Sequence, residues 1–308
     1  MIEINNLVKK YGDHVAVDDL SLTVEQGKIY GFLGPNGAGK STTMNIITGY
    51  LEATSGEVKV NGHDIFKEPE KAKSCIGYLP EIPPLYTDMT VREYLDFAAE
   101  LKKLEKKKRE AYVKEAMETT GITEVSERMI RNLSKGYRQR VGLAQAVLGY
   151  PEIIILDEPT VGLDPKQIIE IRDLIKELGK KHIVILSSHI LTEISAVCDH
   201  VFIISKGKLV ASDTTENLLS MMSGEQEIEL VVRRDAERAK ELLLSVEQID
   251  RVEAEEDKLM IYAQKGADVR EEVFRRMADS GIPVLEMHTV TRSLEDVFLE
   301  ITQEGGRE

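Results

Sequence analysis

Short apolar runs alternate with stretches of helical spacing through the first two hundred residues. Ile29–Leu33, Ile153–Leu156 and Ile183–Leu186 contain no charged residue, which predicts strands buried on both faces of a parallel sheet. Helices are predicted between them, one over Thr42–Gly49 and another beginning after Ser134, a residue type that favours the N-cap position. This alternation predicts an α/β fold built on a mostly parallel sheet.

Two further regions extend this core. Residues 1–28 predict short strands over Ile2–Val8 and Leu20–Val24, and Glu57–Val60 predicts another. Residues 88–149 are helical in pattern, and Thr90 with Glu93 forms a capping box at the start of that block. The charge-dense segment 102–110 is interpreted as a solvated helix face or a helix connection, with a nucleic-acid or lipid patch as the alternative.

The pattern begins anew after residues 213–225, which predict a short helix and a linker. Its order is β-α-β-β-α-β, which is typical of the ferredoxin-like split unit. The strands are predicted over Ile228–Val232, Arg251–Ala254, Leu259–Ala263 and Val284–His288, and the helices over Ala236–Ser245 and Val269–Asp279, with a last helix from Ser293. We therefore predict domains over 1–220 (helical part about 88–149) and 226–308. The second is interpreted as a packing or dimerisation module.

Composition narrows the function classes. The 308 residues carry a formal net charge of −14, which argues against binding nucleic-acid backbone as the main role. Cys75 and Cys198 are far apart, which indicates free thiols, and the six histidines form no metal-binding cluster. No apolar run approaches the ~20 residues that span a bilayer. The chain is expected to be soluble by itself, so a membrane role would require a partner.

The segment Gly34–Ser41 matches the phosphate-loop pattern G-x-x-x-x-G-K-[ST] at every fixed position. It also lies between a predicted strand and a predicted helix, the context that this loop requires. Its glycines allow consecutive N–H groups to face one anion at the positive end of the helix dipole. Lys40 is expected at the β- and γ-phosphates and the Ser41 hydroxyl at Mg²⁺. The motif predicts binding of a nucleoside triphosphate.

Two other predicted strands also end in groups that suit phosphate chemistry. Asp157 and Glu158 follow a buried strand, and ligands bind at the carboxyl edge of a parallel sheet. One carboxylate could hold the Mg²⁺ shell and the next could polarise the attacking water. His189 follows another buried strand, where it could contact the γ-phosphate or serve as a structural hydrogen bonder. On position alone, Tyr11 is better read as a turn aromatic than as a base-stacking residue.

Taken together and in order, these motifs resemble the ATP-binding cassette (ABC) family of ATPases. The resemblance covers about residues 1–220. It rests on the phosphate loop, on the signature Leu133–Tyr137, on Ile153–Thr160, on Gly162–Asp164 and on His189. It implies a cassette with a mixed core sheet, an antiparallel β subdomain and a helical subdomain, followed here by the small ferredoxin-like α+β domain.

The resemblance also implies a role for individual residues. Tyr11 is then the residue that stacks on adenine, Lys40 and Glu158 are catalytic with Glu158 as the general base, and His189 is the γ-phosphate switch. The residues implied to contact ATP are Tyr11, Gly34, Pro35, Asn36, Gly37, Ala38, Gly39, Lys40, Ser41, Thr42, Ser134, Gly136 and Asp164. Ser41, Glu81 and Asp157 would bind Mg²⁺. Ser134 and Gly136 would close on ATP held by a second subunit.

Two departures from the family pattern point to one of its groups. Glu81 stands where a Gln is usual, and Lys135 and Tyr137 replace the usual Gly and Gln of the signature. Both departures resemble those found in the ATP-binding subunits that serve ABC-2-type exporters. This implies an integral membrane permease and a second ATPase subunit as partners, at the cytoplasmic face of the cell membrane and without nucleic acid. The alternative is a soluble ABC protein acting on ribosomes or DNA, although those usually carry two cassettes or a long coiled coil.

Overall fold

The computed structural model describes residues 1–222, 226–264 and 267–290. The chain divides into two compact units, one holding Met1–Thr215 and a second that begins at Glu216. Each unit has its own sheets and its own hydrophobic core.

Among the residues described up to Thr214, the first unit contains ten strands, seven α-helices and two short 3₁₀ helices, Thr123–Val125 and Ile130–Asn132. The strands are β1 Ile2–Tyr11, β2 His14–Val24, β3 Ile29–Leu33, β4 Ser55–Val60, β5 His63–Asp64, β6 Ile76–Leu79, β7 Ile153–Asp157, β8 Ile183–Ser188, β9 His200–Ser205 and β10 Lys208–Thr214. The helices are α1 Lys40–Ile47, α2 Pro69–Ser74, α3 Val91–Leu101, α4 Lys106–Thr120, α5 Lys135–Val147, α6 Pro165–Gly179 and α7 Leu191–Val197, and α8 Thr215–Met222 follows.

The core sheet has the strand order β10-β9-β3-β8-β7-β6. β3 and β6 to β9 run parallel, while β10 pairs antiparallel with β9. Every residue of β3, β7 and β8 is buried, which confirms the sequence prediction of strands covered on both faces. Because β3, β7 and β8 are parallel neighbours, their carboxyl ends lie at one edge, where the phosphate loop, Asp157 and His189 follow.

The antiparallel sheet has the order β2-β1-β4-β5. The sequence prediction made its first two strands too short. β1 continues to Tyr11 and β2 begins at His14, with these two residues paired across the turn. The residues between Val8 and Tyr11 are polar, so the sequence shows no alternation of apolar positions there. The strand continues because these residues pair with β2.

The helical block keeps the predicted caps. Thr90 accepts the Glu93 N–H, and the Glu93 carboxylate accepts the Thr90 N–H at 2.8 Å, so the capping box of α3 is complete. Ser134 accepts the Tyr137 N–H at the start of α5. α4 begins at Lys106, inside the charge-dense segment, and its first charged residues are mostly exposed as a solvated helix face.

The second unit has the predicted β-α-β-β-α-β order. Its elements are β11 Gln226–Val232, α9 Ala236–Leu243, β12 Ile249–Glu255, β13 Lys258–Ala263, α10 Arg270–Asp279 and β14 Val284–Val290. The strand order β12-β13-β11-β14, with antiparallel pairing throughout, is the ferredoxin-like arrangement. The helix predicted from Ser293 lies outside the described residues.

Candidate active site

The phosphate loop joins the end of β3 to the start of α1. Gly39 is the N-cap of α1 with φ +105°, a conformation that L side chains rarely adopt. A Cβ at Gly39 would lie 2.5 Å from the carbonyl oxygen of Ala16, and one at Gly34 would lie 2.4 Å from that of Ile204. The neighbouring strands therefore press on the loop so closely that glycine is required at both positions.

Lys40 is buried at the first position of α1, with 5% of its surface exposed. Its Nζ donates hydrogen bonds to the carbonyl oxygens of Gly34 at 2.7 Å and Pro35 at 3.3 Å. The ammonium is thus held by the loop itself. Burial lowers the pKa of Lys40, and the nearby carboxylates of Glu158 and Asp157 offset part of that effect.

A cavity of about 450 Å³ opens above the loop. It is lined by Tyr11, His14, Ala16, Asn36, Gly37, Gly39, Lys40, Ser41, Thr42, Glu81, Glu158, Val161 and His189. Most of the residues expected at the nucleotide lie here, although His14, Ala16 and Val161 were not predicted. His14 and Ala16 belong to β2, whose path over the loop is a tertiary feature. Tyr11 is 50% exposed at the cavity wall.

Asp157 is the last residue of β7 and is 3% exposed. Its Oδ1 accepts hydrogen bonds from the Ser187 hydroxyl at 2.5 Å and from the Ser41 hydroxyl at 3.3 Å. The strand end and the phosphate loop are therefore joined at one carboxylate. These oxygen groups are the hard donors that Mg²⁺ prefers.

Glu158 follows directly and is also buried, with 6% of its surface exposed. Its carboxylate lies 3.0 and 3.1 Å from Nδ1 of His189 and 3.7 Å from Nζ of Lys40. Its backbone has φ +47°, an uncommon conformation for a residue with a side chain. Such strain is often stored at functional sites, and here it turns the carboxylate away from the line of β7 into the cavity.

The signature residues lie at a different cavity. Gly136 and Asp164 line a separate space of about 310 Å³, together with Gly121, Tyr137, Arg140, Lys166, Gln167 and Glu170. Ser134 caps α5, and the Asp164 carboxylate caps α6 by accepting the Gln167 N–H at 3.0 Å. The predicted site residues thus fall into two groups. Of the phosphate-loop group, Gly34, Pro35, Ala38 and Asp157 lie outside the lining of the first cavity and the others line it. None of Ser134, Gly136 and Asp164 lines that cavity.

Comparisons with known proteins agree with this geometry. Residues 17–161 match the model of the family described as ABC transporter. The chain is 36% identical to the bacitracin transport ATP-binding protein BcrA of Bacillus licheniformis, over 99% of this chain and 98% of that protein. It is 34% identical to the linearmycin resistance ATP-binding protein LnrL of Bacillus subtilis, over 98% of both chains.

A solved structure of the ATP-binding subunit of an ABC transporter shares the fold of the first unit. It superposes with a TM-score of 0.65 at 30% identity, covering 72% of this chain and 92% of that one. The resemblance stated from the sequence motifs is therefore confirmed. With its phosphate loop, paired strand-end carboxylates and full-length relatives, the chain belongs to the ABC transporter family, as an ATP-binding subunit with ATPase activity.

Proposed function

We propose that this subunit powers an ABC-2-type exporter from the cytoplasmic face of the cell membrane. The observation that carries the proposal is an exposed apolar segment that directly follows Glu81 in the wall of the nucleotide cavity. The printed names of the relatives, bacitracin transport and linearmycin resistance, support it. No helix in the described ranges combines the length and apolar character that crossing a bilayer requires.

In this proposal Lys40, Ser41 and Thr42 bind the phosphates of ATP, with the backbone N–H groups of residues 34–39 around them. Tyr11 stacks on the adenine. Ser41, Asp157 and Glu81 would hold Mg²⁺. The fit is supported by the Ser41–Asp157 contact, which joins two hard oxygen donors next to the loop, and bound Mg²⁺ would neutralise phosphate charge.

Glu158 is proposed as the general base and His189 as the residue that senses the γ-phosphate. Their contact at 3.0 Å supports this pairing, because a histidine next to the base can orient it. The Nζ of Lys40 lies 3.7 Å from the Glu158 carboxylate and forms an ion pair with it. When phosphate draws the Lys40 ammonium away, the carboxylate is left free to act on the water.

The second cavity supports a dimer in which two subunits share their ATP sites. Ser134 and Gly136 begin a helix whose free N–H groups suit an anion, yet neither residue lines the phosphate-loop cavity of its own chain. A second subunit, either a copy of this chain or a paralogue, would supply these groups across the interface. Asp164 lines the same cavity as Gly136 and would contact the partner.

The proposed contact with the permease is the docking loop, defined as Ile82–Tyr86. The Ile82 side chain is 81% exposed and that of Tyr86 is 56% exposed. The Tyr86 ring leans on α3, with its centroid 5.4 Å from that of Phe97 and 6.3 Å from that of Tyr94. Because Glu81 lines the nucleotide cavity, a partner pressing on this loop would act directly on the site.

Replacing Ile82 with Glu is expected to weaken docking by about 30-fold, since an apolar anchor at the centre of an interface contributes roughly 2 kcal/mol. The measurement is the recovery of integral membrane protein with the tagged chain from detergent-solubilised membranes of its own host. Leu244→Glu is the control, because Leu244 is an exposed aliphatic residue of the other compact unit. Recovery of no integral membrane protein with the parent chain would contradict the proposal.

Replacing Glu81 with Gln is expected to tighten Mg²⁺-free ATP binding by about 3- to 10-fold, because it removes one carboxylate from a cavity that must receive a triphosphate. With Mg²⁺ present the gain should shrink, since the ion neutralises phosphate charge and loses a potential ligand. Titration of ATP with and without Mg²⁺ measures both effects. Glu70→Gln is the control, because Glu70 is an exposed acid that does not line the nucleotide cavity. If the variant and the parent bind ATP equally well, both with and without Mg²⁺, Glu81 is neutral for ATP binding.

A further inference from the structure

A buried carboxylate that was not predicted as a site residue connects the chain segments that carry Glu158 and His189. Glu193 lies in the first turn of α7 and has 6% of its surface exposed. One oxygen, Oε2, accepts hydrogen bonds from the Thr160 hydroxyl at 2.5 Å and from the Ser188 hydroxyl at 3.1 Å. A buried carboxylate is costly unless such donors satisfy it.

The donor assignment is unambiguous for Ser188. Its oxygen accepts the Ile190 N–H at 3.0 Å, so its single O–H is free to donate to Glu193. Within the described residues, no Lys, Arg or His lies at ion-pair distance from Glu193. The carboxylate is therefore satisfied by hydroxyl groups of two separate chain segments, and removing either hydroxyl removes half of these bonds.

Those two segments carry the proposed base and the proposed γ-phosphate sensor. Thr160 is two residues after Glu158, and Ser188 immediately precedes His189. The side chains of Glu158 and His189 are themselves in contact at 3.0 Å. Glu193 is therefore hydrogen-bonded to the chain close to both catalytic residues. Its contact with Thr160 lies two residues from Glu158, and its contact with Ser188 lies one residue from His189.

The helix that carries Glu193 is fixed to the core sheet. A Cβ added to Gly31 in β3 would lie 2.7 Å from Cγ2 of Ile194, so α7 packs directly on the backbone of that strand. β3 leads into the phosphate loop. The helix that carries Glu193 thus packs on the strand that leads into the phosphate loop, while the Glu193 carboxylate contacts the segments that carry Glu158 and His189.

Thr160 also begins the turn that leads to Asp164. Its carbonyl oxygen accepts the Leu163 N–H at 3.2 Å. The loop proposed to face a second subunit therefore starts at the residue that Glu193 holds, so a displacement of that loop would reach Glu158 and His189 through Thr160.

We propose that Glu193 is a positioning residue that fixes the separation of Glu158 and His189 through Thr160 and Ser188. It touches neither nucleotide nor water in this role. The inference rests on the proposed roles of Glu158 and His189. It predicts that loss of the Glu193 hydrogen bonds lowers kcat for ATP hydrolysis and leaves KM for ATP nearly unchanged.

The first test is Thr160→Val, which removes the hydroxyl and keeps the shape. We expect kcat to fall by about 10- to 100-fold, the effect of a displacement of ~1 Å in a catalytic group, and KM to change by less than about threefold. Thr160→Ser retains the donor and should keep kcat within about threefold of the parent. Thr120→Val is the matched control, because its buried hydroxyl bonds only within α4, to the Ala116 carbonyl oxygen at 2.8 Å.

A second comparison uses Glu193 itself. Glu193→Gln keeps an acceptor oxygen and should retain more kcat than Glu193→Ala, and Thr160→Val should have little additional effect in the Glu193→Ala background. The proposal is overturned if Thr160→Val keeps the parental kcat, or if the kcat losses of Thr160→Val and Glu193→Ala are additive. It is also overturned if Thr160→Val and Thr120→Val lose kcat and thermal stability equally. Glu158→Gln, measured in parallel, distinguishes failure of this proposal from failure of the proposed role of Glu158. If Glu158→Gln hydrolyses ATP at the parental rate, it is the role of Glu158 as general base that is contradicted.

Discussion

Replacing Glu158 with Gln is expected to lower ATP turnover by about 10²- to 10⁴-fold while ATP still binds. The amide has the shape of the carboxylate and can still contact His189, but it cannot accept a proton from water. The buried position of Glu158 and its contacts with His189 and Lys40 leave little room for another group to substitute.

The loss of charge has a second consequence. Without the Glu158 carboxylate, the pKa of Lys40 falls further, because this neighbour is the strongest of the groups that oppose the effect of burial. Phosphate restores a counter-charge when ATP binds. We therefore expect the variant to accumulate in an ATP-bound, dimeric form, since closure no longer leads to hydrolysis.

Steady-state phosphate release, ATP affinity and sedimentation with ATP measure these outcomes. Glu152→Gln is the control: Glu152 immediately precedes β7, at the opposite end of the strand from Glu158, and is exposed. A Glu158→Gln variant with the parental rate would remove Glu158 from the mechanism. One that failed to bind ATP would show that the carboxylate is needed to assemble the site.

Replacing Gly39 with Ala is expected to weaken ATP binding by at least about 100-fold. The added Cβ would lie 2.5 Å from the Ala16 carbonyl oxygen, and the φ of +105° is unfavourable for an L residue by roughly 1–2 kcal/mol. Both strains act at the residue before Lys40. The loop or β2 must move, and the ordered set of N–H groups and the position of Lys40 are lost with it.

The control is Gly62→Ala in the turn after β4. Gly62 also has a positive φ, of +80°, but no atom lies within 4 Å of its added Cβ. It should lose roughly 1 kcal/mol of stability and no ATP affinity. ATP titration and thermal unfolding of both variants separate the two costs. Parental ATP affinity in Gly39→Ala would mean that the loop does not need the close backbone approach of β2.

Local signals in the sequence predicted much of the fold. The phosphate loop, the apolar strands, the Thr90 capping box and the Ser134 N-cap were recognisable because each depends on residues close together in the chain. The β-α-β-β-α-β order of the second unit was equally readable, as its alternation is not interrupted by long insertions.

Three helices, α2, α6 and α7, were not predicted from the sequence. α6 has apolar positions at helical spacing, at Ile171, Leu174, Ile175 and Leu178, but its start is marked by Asp164, which had been assigned to function. That residue is also the N-cap, so one side chain has a structural role that the sequence interpretation overlooked. α2 and α7 have six and seven residues, too short for a clear period.

The phosphate loop illustrates where sequence information ends. The motif by itself determined the residue types that a triphosphate needs, because its glycines and its Lys-Ser pair are consecutive. Only the tertiary structure brought His189 to Glu158, placed β2 against Gly39 and joined Thr160 to Ser188 through Glu193. These contacts connect residues from 5 to 33 positions apart, and most arise because parallel strands end at one sheet edge.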